Sequence, residues 1–316
     1  MTADPLAAGW SRKTLPLRIS VGDRYVTVLR LALLVRDTHF TALGDDLEAA
    51  VPPALPAGVD GLMIPSQPYS GDAFRIRRHG RHLLYAPRRY LRHWVDTTGS
   101  HDAYVAAFSG KTRSTLRRKV RKFAGDGAEA CDFRVYRTAA ELAEFHRLAR
   151  PLSASTYQER LMDAGLPDSP DFLRDMAARA ERNAARGYLL FRDGQPAAYT
   201  YCPVDDGIAL YAYTGYDPAL AALSPGTVLQ WLLLEDQFAD PAVRVFDFTQ
   251  GEGPHKELFS TASRECIDLY VLRPTLRAWR GIALQTAVEQ AVQRVGDGLD
   301  ALGLKARVRR LMRGTA

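Results

Sequence analysis

The chain has 316 residues, of which 47% are hydrophobic and 25% are charged. This composition is that of a globular protein long enough for two domains, and it excludes a chain that is mostly disordered. The formal net charge of +6 favours an anionic partner, namely a phosphorylated cofactor, a nucleic acid or an acidic lipid surface, and the sign of the charge does not choose among them.

The three cysteines, Cys131, Cys202 and Cys266, are far apart and odd in number. They show neither a disulfide framework nor a metal-ligand spacing, so we expect inert thiols in a reducing cytoplasm and no metal site. The N-terminal residues lack an apolar core of signal-peptide length, and the longest apolar run, Val28 to Val35, is interrupted by Arg30. We therefore expect a cytoplasmic protein without a membrane span.

The first predicted unit is rich in short strands. From Leu15 to about Asp96, apolar residues alternate in short runs between Pro and Gly clusters. At Ser100 the pattern becomes helical: Ser100 is a predicted N-cap, Gly110 ends that helix, and a second helix is predicted over 111–124. The second helix has one apolar face and seven basic residues, namely Lys111, Arg113, Arg117, Arg118, Lys119, Arg121 and Lys122.

Two further helices are predicted after a domain junction in the AGDGAEA stretch. Thr138 and Glu141 form a capping-box sequence that begins the first of them, and Pro151 is expected to end it. Ser169 precedes Pro170 at the start of the next helix, which is predicted over 172–186 and ends at Gly187.

Strands dominate the following part of the chain. They are predicted over residues 188–192, 197–203, 208–216, 243–248 and 267–272. Asp-Gly turns join the first three strands into consecutive antiparallel hairpins. Ser224-Pro225-Gly226 begins an apolar helix that is predicted to end near Phe238.

This ordered set of motifs resembles a known family. The motifs are the basic helix KTRSTLRRKVRKF, the strand end ALYAYTGYDP, the helix start SPGTVLQ, and the loop DFTQGEGPHK followed by Phe259. With the order of elements over 131–273, they resemble the acetyltransferase fold of the GNAT superfamily, and within it the CelD/BcsL or BioF-like branch related to the FemAB peptidoglycan transferases.

The resemblance implies an α/β (α+β) fold built from two tandem GNAT-like halves. Each half would be a mixed, mostly antiparallel sheet flanked by helices. The first half would cover residues 1–125, including the basic helix, and the second half residues 126–273. Residues 274–316 would form a C-terminal helical extension.

The resemblance also implies a thioester donor. Ser224 and the amides of Gly226, Thr227 and Val228 lie at a predicted helix N-terminus, where free N–H groups and the helix dipole favour the pyrophosphate of acyl-CoA. The family's usual phosphate loop has two glycines, whereas this chain has one, which leaves room for the single phosphate of an acyl-carrier-protein phosphopantetheine arm. In the alternative interpretation, Ser-Pro-Gly only begins a core helix.

The expected catalytic groups lie in the loop after strand 243–248. Asp247 ends that strand and His255 follows two glycines, so these two form the expected acid–base pair. Glu252 is an alternative base, and Lys256 is an expected anion-binding group for donor or acceptor. In an equally weighted structural alternative, Asp247 caps the loop amides and pairs with Lys256.

Strand 208–216 would lie beside the pantetheine arm and splay from strand 243–248. An amide near Tyr211 to Tyr213 would then stabilise the oxyanion of the attacked thioester. Tyr213 is a candidate acid and Tyr211 a candidate substrate contact, although the tyrosines of this region favour cross-strand pairs and a groove wall. By resemblance, Tyr157 and Gln158 are expected to contact the acceptor.

Two basic segments leave several interpretations open. The basic residues of the helix over 111–124 have three interpretations: a solvated surface, a site for anionic lipid or cofactor phosphate, or a nucleic-acid site. The nucleic-acid site ranks lowest because aromatic residues are not interleaved with the basic ones. For the C-terminal amphipathic segment, the open alternatives are docking on the inner membrane leaflet, docking on a partner subunit, and packing against the protein itself. Its basic residues are Lys305, Arg307, Arg309, Arg310 and Arg313.

The predicted function is acyl transfer from acyl-CoA or acyl carrier protein to an amine or hydroxyl of an envelope molecule, by direct attack in a ternary complex. The acceptor is a polar lipid such as a sphingoid base, which the basic segments favour, or an exopolysaccharide sugar. FemAB-like aminoacyl transfer from tRNA and a non-catalytic membrane or nucleic-acid binding module are the alternatives. The protein is expected in the cytoplasm, with peripheral inner-membrane contact as an option.

Overall fold

The computed structural model describes residues 9–21, 24–125, 130–155, 165–251 and 253–301. The chain divides into two compact units. One comprises the described residues of Met1–Arg89 and Glu265–Ala316, and the other those of Tyr90–Arg264. These two units have other boundaries than the predicted tandem halves. The predicted halves are repeats of one fold, which a division into compact units does not test, and so they stay a prediction.

The first unit is rich in strands. Its elements are β1 (Trp10–Val21), β2 (Arg24–Arg36), α1 (Leu47–Ala50), β3 (Gly61–Pro68), β4 (Ile76–His79), β5 (His82–Tyr85), most of β13 (Ala262–Leu272) and α8 (Leu276–Ala301). β2 pairs antiparallel with β1 and parallel with β3, and β13 pairs antiparallel with β3 and β5. Helix α8 packs on β1 and β2.

The second unit holds most of the predicted motifs. Its elements are β6 (Arg89–Asp96), α2 (His101–Ala107), α3 (Gly110–Ala124), β7 (Asp132–Tyr136), α4 (Ala139–Ser155), α5 (Pro170–Glu181), β8 (Ala185–Arg192), β9 (Gln195–Asp205), β10 (Ile208–Leu210), β11 (Tyr213–Tyr216), α6 (Pro225–Ala239), β12 (Val245–Asp247) and α7 (Pro254–Phe259). The strand order is β6-β12-β10-β9-β8-β7, and β11 pairs with β9. Only β10 and β12 run parallel in this series. The expected mixed, mostly antiparallel sheet flanked by helices is confirmed.

Strand β8 is buried on both sides, so the sheet of this unit lies between two helical layers. Tyr188 and Leu190 pack in a core with residues of α3 and α6, whereas Leu189 and Phe191 pack with residues of α4 and α5. This separation follows from the two-residue period of a strand.

The predicted helix starts are confirmed by their hydrogen bonds. The Ser100 hydroxyl accepts from the Ala103 amide at 3.1 Å. The Thr138 hydroxyl accepts from the Glu141 amide at 3.3 Å, and the Glu141 carboxylate accepts from the Thr138 amide at 2.9 Å. Such bonds satisfy amides that the first helical turn leaves without an intrahelical partner.

Two predicted helix ends are wrong. Pro151 lies inside α4 rather than at its end, because the helix continues to bury Leu152 and Ser153. An interior proline costs about 3 kcal/mol, so local propensity does not decide where this helix ends. Helix α5 ends at Glu181 rather than at residue 186, and the next strand begins at Ala185.

Candidate active site

The predicted strand over 208–216 is two strands with a break between them. Leu210 is the last residue of β10 in register with β12, opposite Asp247. The Tyr211 amide donates to the Asp247 carbonyl at 2.9 Å, and β11 then continues along β9. The two parallel strands therefore part at Tyr211, at the end of the sheet where the loop after Asp247 begins.

Asp247 is fully buried and anchors this loop. Its Oδ2 accepts from the guanidinium of Arg92, and its Oδ1 accepts from the Thr249 amide at 2.9 Å. The Arg92 side chain is 9% exposed and comes from β6. These contacts resemble the alternative in which Asp247 has a structural role and caps amides of the loop. The difference is that its ion pair is with Arg92, whereas Lys256 was the expected partner.

Lys256 holds the same loop from the other end. Its ammonium donates to the Gln250 carbonyl at 2.8 Å, and its side chain is buried. Burial and the charge of Arg92 lower the pKa of Lys256 to about 8, against the opposing effect of Asp247. Burial disfavours the charged form of an amine, so this lysine is poised to lose its proton just above neutral pH.

His255 lies on the solvent side of the loop. Its ring centroid is 6.2 Å from that of Tyr211 and 6.3 Å from that of Phe248. A Cβ on Gly253 would lie 3.0 Å from Cε1 and 3.1 Å from Nδ1 of this ring, so the glycine makes room for it. Desolvation first, and the charge of Lys256 second, lower the pKa of His255. The imidazole is therefore neutral at pH 7, as a general base requires.

The two candidate tyrosines lie in different layers. Tyr211 is buried beside Phe248 and His255, and desolvation raises its pKa to about 12. Tyr213 packs with Phe172 of α5, at a centroid distance of 5.6 Å, and belongs to the other core. The structure thus brings Tyr211 to His255 and places Tyr213 among aromatic residues, opposite Tyr201 of β9.

The predicted oxyanion amides belong to the sheet. The Tyr211 amide donates to the Asp247 carbonyl at 2.9 Å, and the Ala212 amide donates to the Tyr201 carbonyl at 3.3 Å. Tyr213 pairs with Tyr201 in the ladder between β11 and β9.

The predicted phosphate-binding residues lie at the N-terminus of α6. Ser224 has φ of 55° and its side chain makes no capping bond. The Val228 amide donates to the Ser224 carbonyl at 3.1 Å, and so the first-turn amides available to a ligand are those of Gly226 and Thr227. A Cβ on Gly226 would meet the Tyr216 ring at 3.5 Å, which is an ordinary contact.

The basic helix α3 reaches this same end of α6. The Lys122 ammonium donates to the Ala222 carbonyl at 3.0 Å, in the 3-10 turn Pro218–Leu223 that precedes the helix. On another flank of α3, Arg113, Arg117 and Arg121 line a shallow polar depression. Positive charge therefore adds to the helix dipole where an anionic ligand would bind.

Three predicted site residues, Tyr157, Gln158 and Glu252, lie outside the described residues. Across the described ranges there is no cluster of three or more His, Cys, Asp or Glu side chains able to hold a metal ion. Within the same ranges, no helix combines the length and apolarity needed to cross a membrane.

Sequence reasoning missed Arg92. Arg92 lies 155 positions before Asp247 and looks like one more basic residue of a strand. The one local signal is its place in β6 between Tyr90 and Trp94, the two aromatic residues on the same face of the strand, where an unpaired charge would be costly.

Part of the chain is similar to a known domain family. Residues 110–257 match the family described as acetyltransferase (GNAT) domain. The matched segment begins with α3 and includes the α6 N-terminus and His255. No curated protein matches the chain. The finer assignment to the CelD/BcsL branch stays a prediction.

Solved structures with a similar fold share little sequence with the chain. A DUF2156 domain from Agrobacterium fabrum is 15% identical with a TM-score of 0.43, over 65% of this chain and 66% of that one. FemX is 11% identical with a TM-score of 0.46, over 83% and 88%. A tandem GNAT protein of the clavulanic acid pathway is 13% identical with a TM-score of 0.34, over 66% and 63%. The chain thus spans slightly less than two thirds of the first and third structures.

Proposed function

We propose that the protein transfers an acyl group from acyl-CoA to an amine, by direct attack in a ternary complex, with His255 as the general base. The observation that supports this most is the position of the His255 ring, whose centroid is 6.2 Å from that of Tyr211 at the point where β10 and β12 part; burial there lowers the pKa of His255. In the proposal, the thioester lies in this opening and the acceptor approaches from the side of His255.

The reaction needs a proton to leave the acceptor as the acyl bond forms. His255 removes a proton from the attacking amine, the nitrogen forms a bond to the thioester carbon, and the carbonyl π electrons move onto oxygen to give a tetrahedral oxyanion. Collapse of the tetrahedral intermediate breaks the carbon–sulfur bond. The protonated His255 then returns a proton to the leaving thiolate, so that CoA departs as the thiol.

The donor end of the proposed site is the N-terminus of α6. The amides of Gly226 and Thr227 bind the pyrophosphate, and Lys122 adds a positive charge beside them. CoA carries more phosphate charge than a phosphopantetheine arm on a carrier protein. The concentration of basic residues on the adjoining helix therefore favours CoA as the donor.

An amine of a polar lipid is the proposed acceptor. A histidine with a lowered pKa is a weak base, and an amine demands less of a base than a hydroxyl does. The rings of Tyr211 and Phe248 are buried beside His255, so the proposed base lies against an apolar layer of the protein.

The test is to measure thiol release from a panel of acyl-CoAs with a long-chain amine, a short amine and a sugar as acceptors. We expect turnover with the long-chain amine and a loss of at least about a hundredfold in His255→Ala. Saturating acyl-CoA should also raise the melting temperature, since a ligand at one hundred times its Kd adds about 2.7 kcal/mol of stability. Full activity in His255→Ala would remove it as the base. Stabilisation by tRNA instead of acyl-CoA would contradict the donor.

A further inference from the structure

The first unit carries an exposed apolar surface on helix α8. Leu276, Trp279 and Leu284 are 66%, 40% and 53% exposed, and they account for half of the large exposed hydrophobic residues in the described ranges. On a helix these positions follow one another at spacings of three and five residues, within about 12 Å along the axis. We name this surface the α8 outer face and include Arg277 and Arg280 in it.

The opposite side of α8 already has a partner. Ala278, Ile282 and Gln285 are buried, and a Cβ on Gly281 would lie 2.7 Å from the Leu29 side chain, so the glycine lets the helix lie close to β2. Packing within the unit therefore explains the inner apolar side of the helix and leaves the outer one unexplained.

The α8 outer face is positively charged. Arg277 and Arg280 are exposed on it and line a shallow apolar groove with Leu29, Leu276 and Leu284. Among the described side chains of α8 the one carboxylate is that of Glu289, which pairs with Arg75. The sequence that follows, residues 302–316, adds five basic residues and no acidic one.

We propose that the α8 outer face binds the surface of an anionic lipid bilayer. Leucine and tryptophan side chains enter the boundary between headgroups and acyl chains, while arginines remain level with the phosphates. Charge complementarity selects this occupant over a second copy of the chain. A symmetric dimer through this face would bring the arginines of one copy against those of the other, whereas anionic headgroups neutralise them.

The inference does not depend on the proposed acyl transfer, and a binding assay tests it directly. The full chain is sedimented with vesicles of phosphatidylcholine alone and with vesicles that contain an equal share of phosphatidylglycerol. We expect binding to the anionic vesicles alone. Arg277→Gln with Arg280→Gln should weaken it about thirtyfold, from about 1 kcal/mol per basic residue near the surface. Leu276→Ser with Leu284→Ser should weaken it at least about tenfold through lost apolar burial.

Two matched controls separate the α8 outer face from other surfaces. Leu91→Ser changes an exposed leucine of the other unit, and Arg117→Gln with Arg121→Gln removes two charges from α3. Both should leave vesicle binding unchanged. The proposal is overturned if the α3 variant loses binding and the α8 variants keep it, or if binding does not depend on anionic lipid. A dimer that Leu276→Ser with Leu284→Ser abolishes, without vesicle binding in the parent, would assign the face to self-association. Unchanged melting temperatures show that each variant is folded.

Discussion

Breaking the ion pair between Arg92 and Asp247 should cause a large loss of stability, and removing both charges together should recover most of it. Their side chains are 9% and 0% exposed, so removal of either partner leaves the other as a buried charge without this ion pair. Such a loss costs about 3 to 5 kcal/mol, against a total stability of roughly 5 to 15 kcal/mol. Asp247→Leu and Arg92→Met should each lower the free energy of unfolding by this amount, which is roughly 6 to 20 °C in melting temperature.

The double variant tests the reasoning. Arg92→Met combined with Asp247→Leu removes both charges and keeps the volume apolar, and it should return to within about 1 kcal/mol of the parent. Urea unfolding followed by circular dichroism measures all four proteins of the cycle. As a matched control, Asp132→Asn breaks an ion pair whose side chains are 49% and 45% exposed, and should cost no more than about 1 kcal/mol. A double variant as unstable as the singles would refute the pairing as the cause.

Activity separates the positioning role of Asp247 from its contribution to stability. The Thr249 amide donates to Asp247 Oδ1, and this bond sets the start of the loop that carries His255. The double variant loses this acceptor, so it should be stable yet slow, with the loss in kcat rather than KM. Asp247→Asn keeps an oxygen for the Thr249 amide and should recover part of kcat.

Three further predictions concern the loop and the donor end of the site. Because the pKa of His255 is lowered, the acid limb of kcat/KM should lie below about pH 6.5. Lys256→Met removes a positive neighbour of His255 and should therefore move this limb to higher pH. A limb that moves to lower pH would contradict the assignment of His255 as the base. Gly253→Ala should lower kcat about tenfold by displacing the imidazole, whereas Gly99→Ala, where a Cβ meets nothing within 4 Å, should not; equal kcat in both would show that the ring position is unimportant. Gly226→Ala should raise KM for acyl-CoA several-fold, because it adds a Cβ next to an amide that is proposed to bind the phosphates. The melting temperature should change little, since this Cβ makes only an ordinary contact within the protein. An unchanged KM would place the phosphates elsewhere.

Local chemistry made much of the fold predictable. The Ser100 cap and the Thr138–Glu141 capping box involve bonds over three residues, so their residue types in sequence suffice to indicate them. Long-range packing was not accessible in the same way. Pro151 was expected to end a helix because its local cost is large, but the helix continues past it and buries Leu152 and Ser153.

The candidate site was predicted in part for the same reason. His255 follows the glycines of its loop, and the room for its ring depends on the missing Cβ of Gly253, which lies two residues away. The break at Tyr211 depends on two different partner strands, which the alternation of residues 208–216 does not encode. The ion-pair partner of Asp247 depends on β6, far away in sequence, and no spacing rule connects them.

The position of Arg92 also bears on what the functional unit is. The segment that matches the acetyltransferase family begins at residue 110, whereas the compact second unit begins at Tyr90. The residues between them supply Arg92 to Asp247, and the Tyr104 hydroxyl to the Phe259 carbonyl at 2.7 Å. Both contacts hold the two ends of the loop that carries His255. A fragment limited to the matched segment would retain the proposed base and leave Asp247 as a buried charge without its arginine. The fold unit of this candidate site therefore includes β6 and α2, because they hold the loop that carries His255.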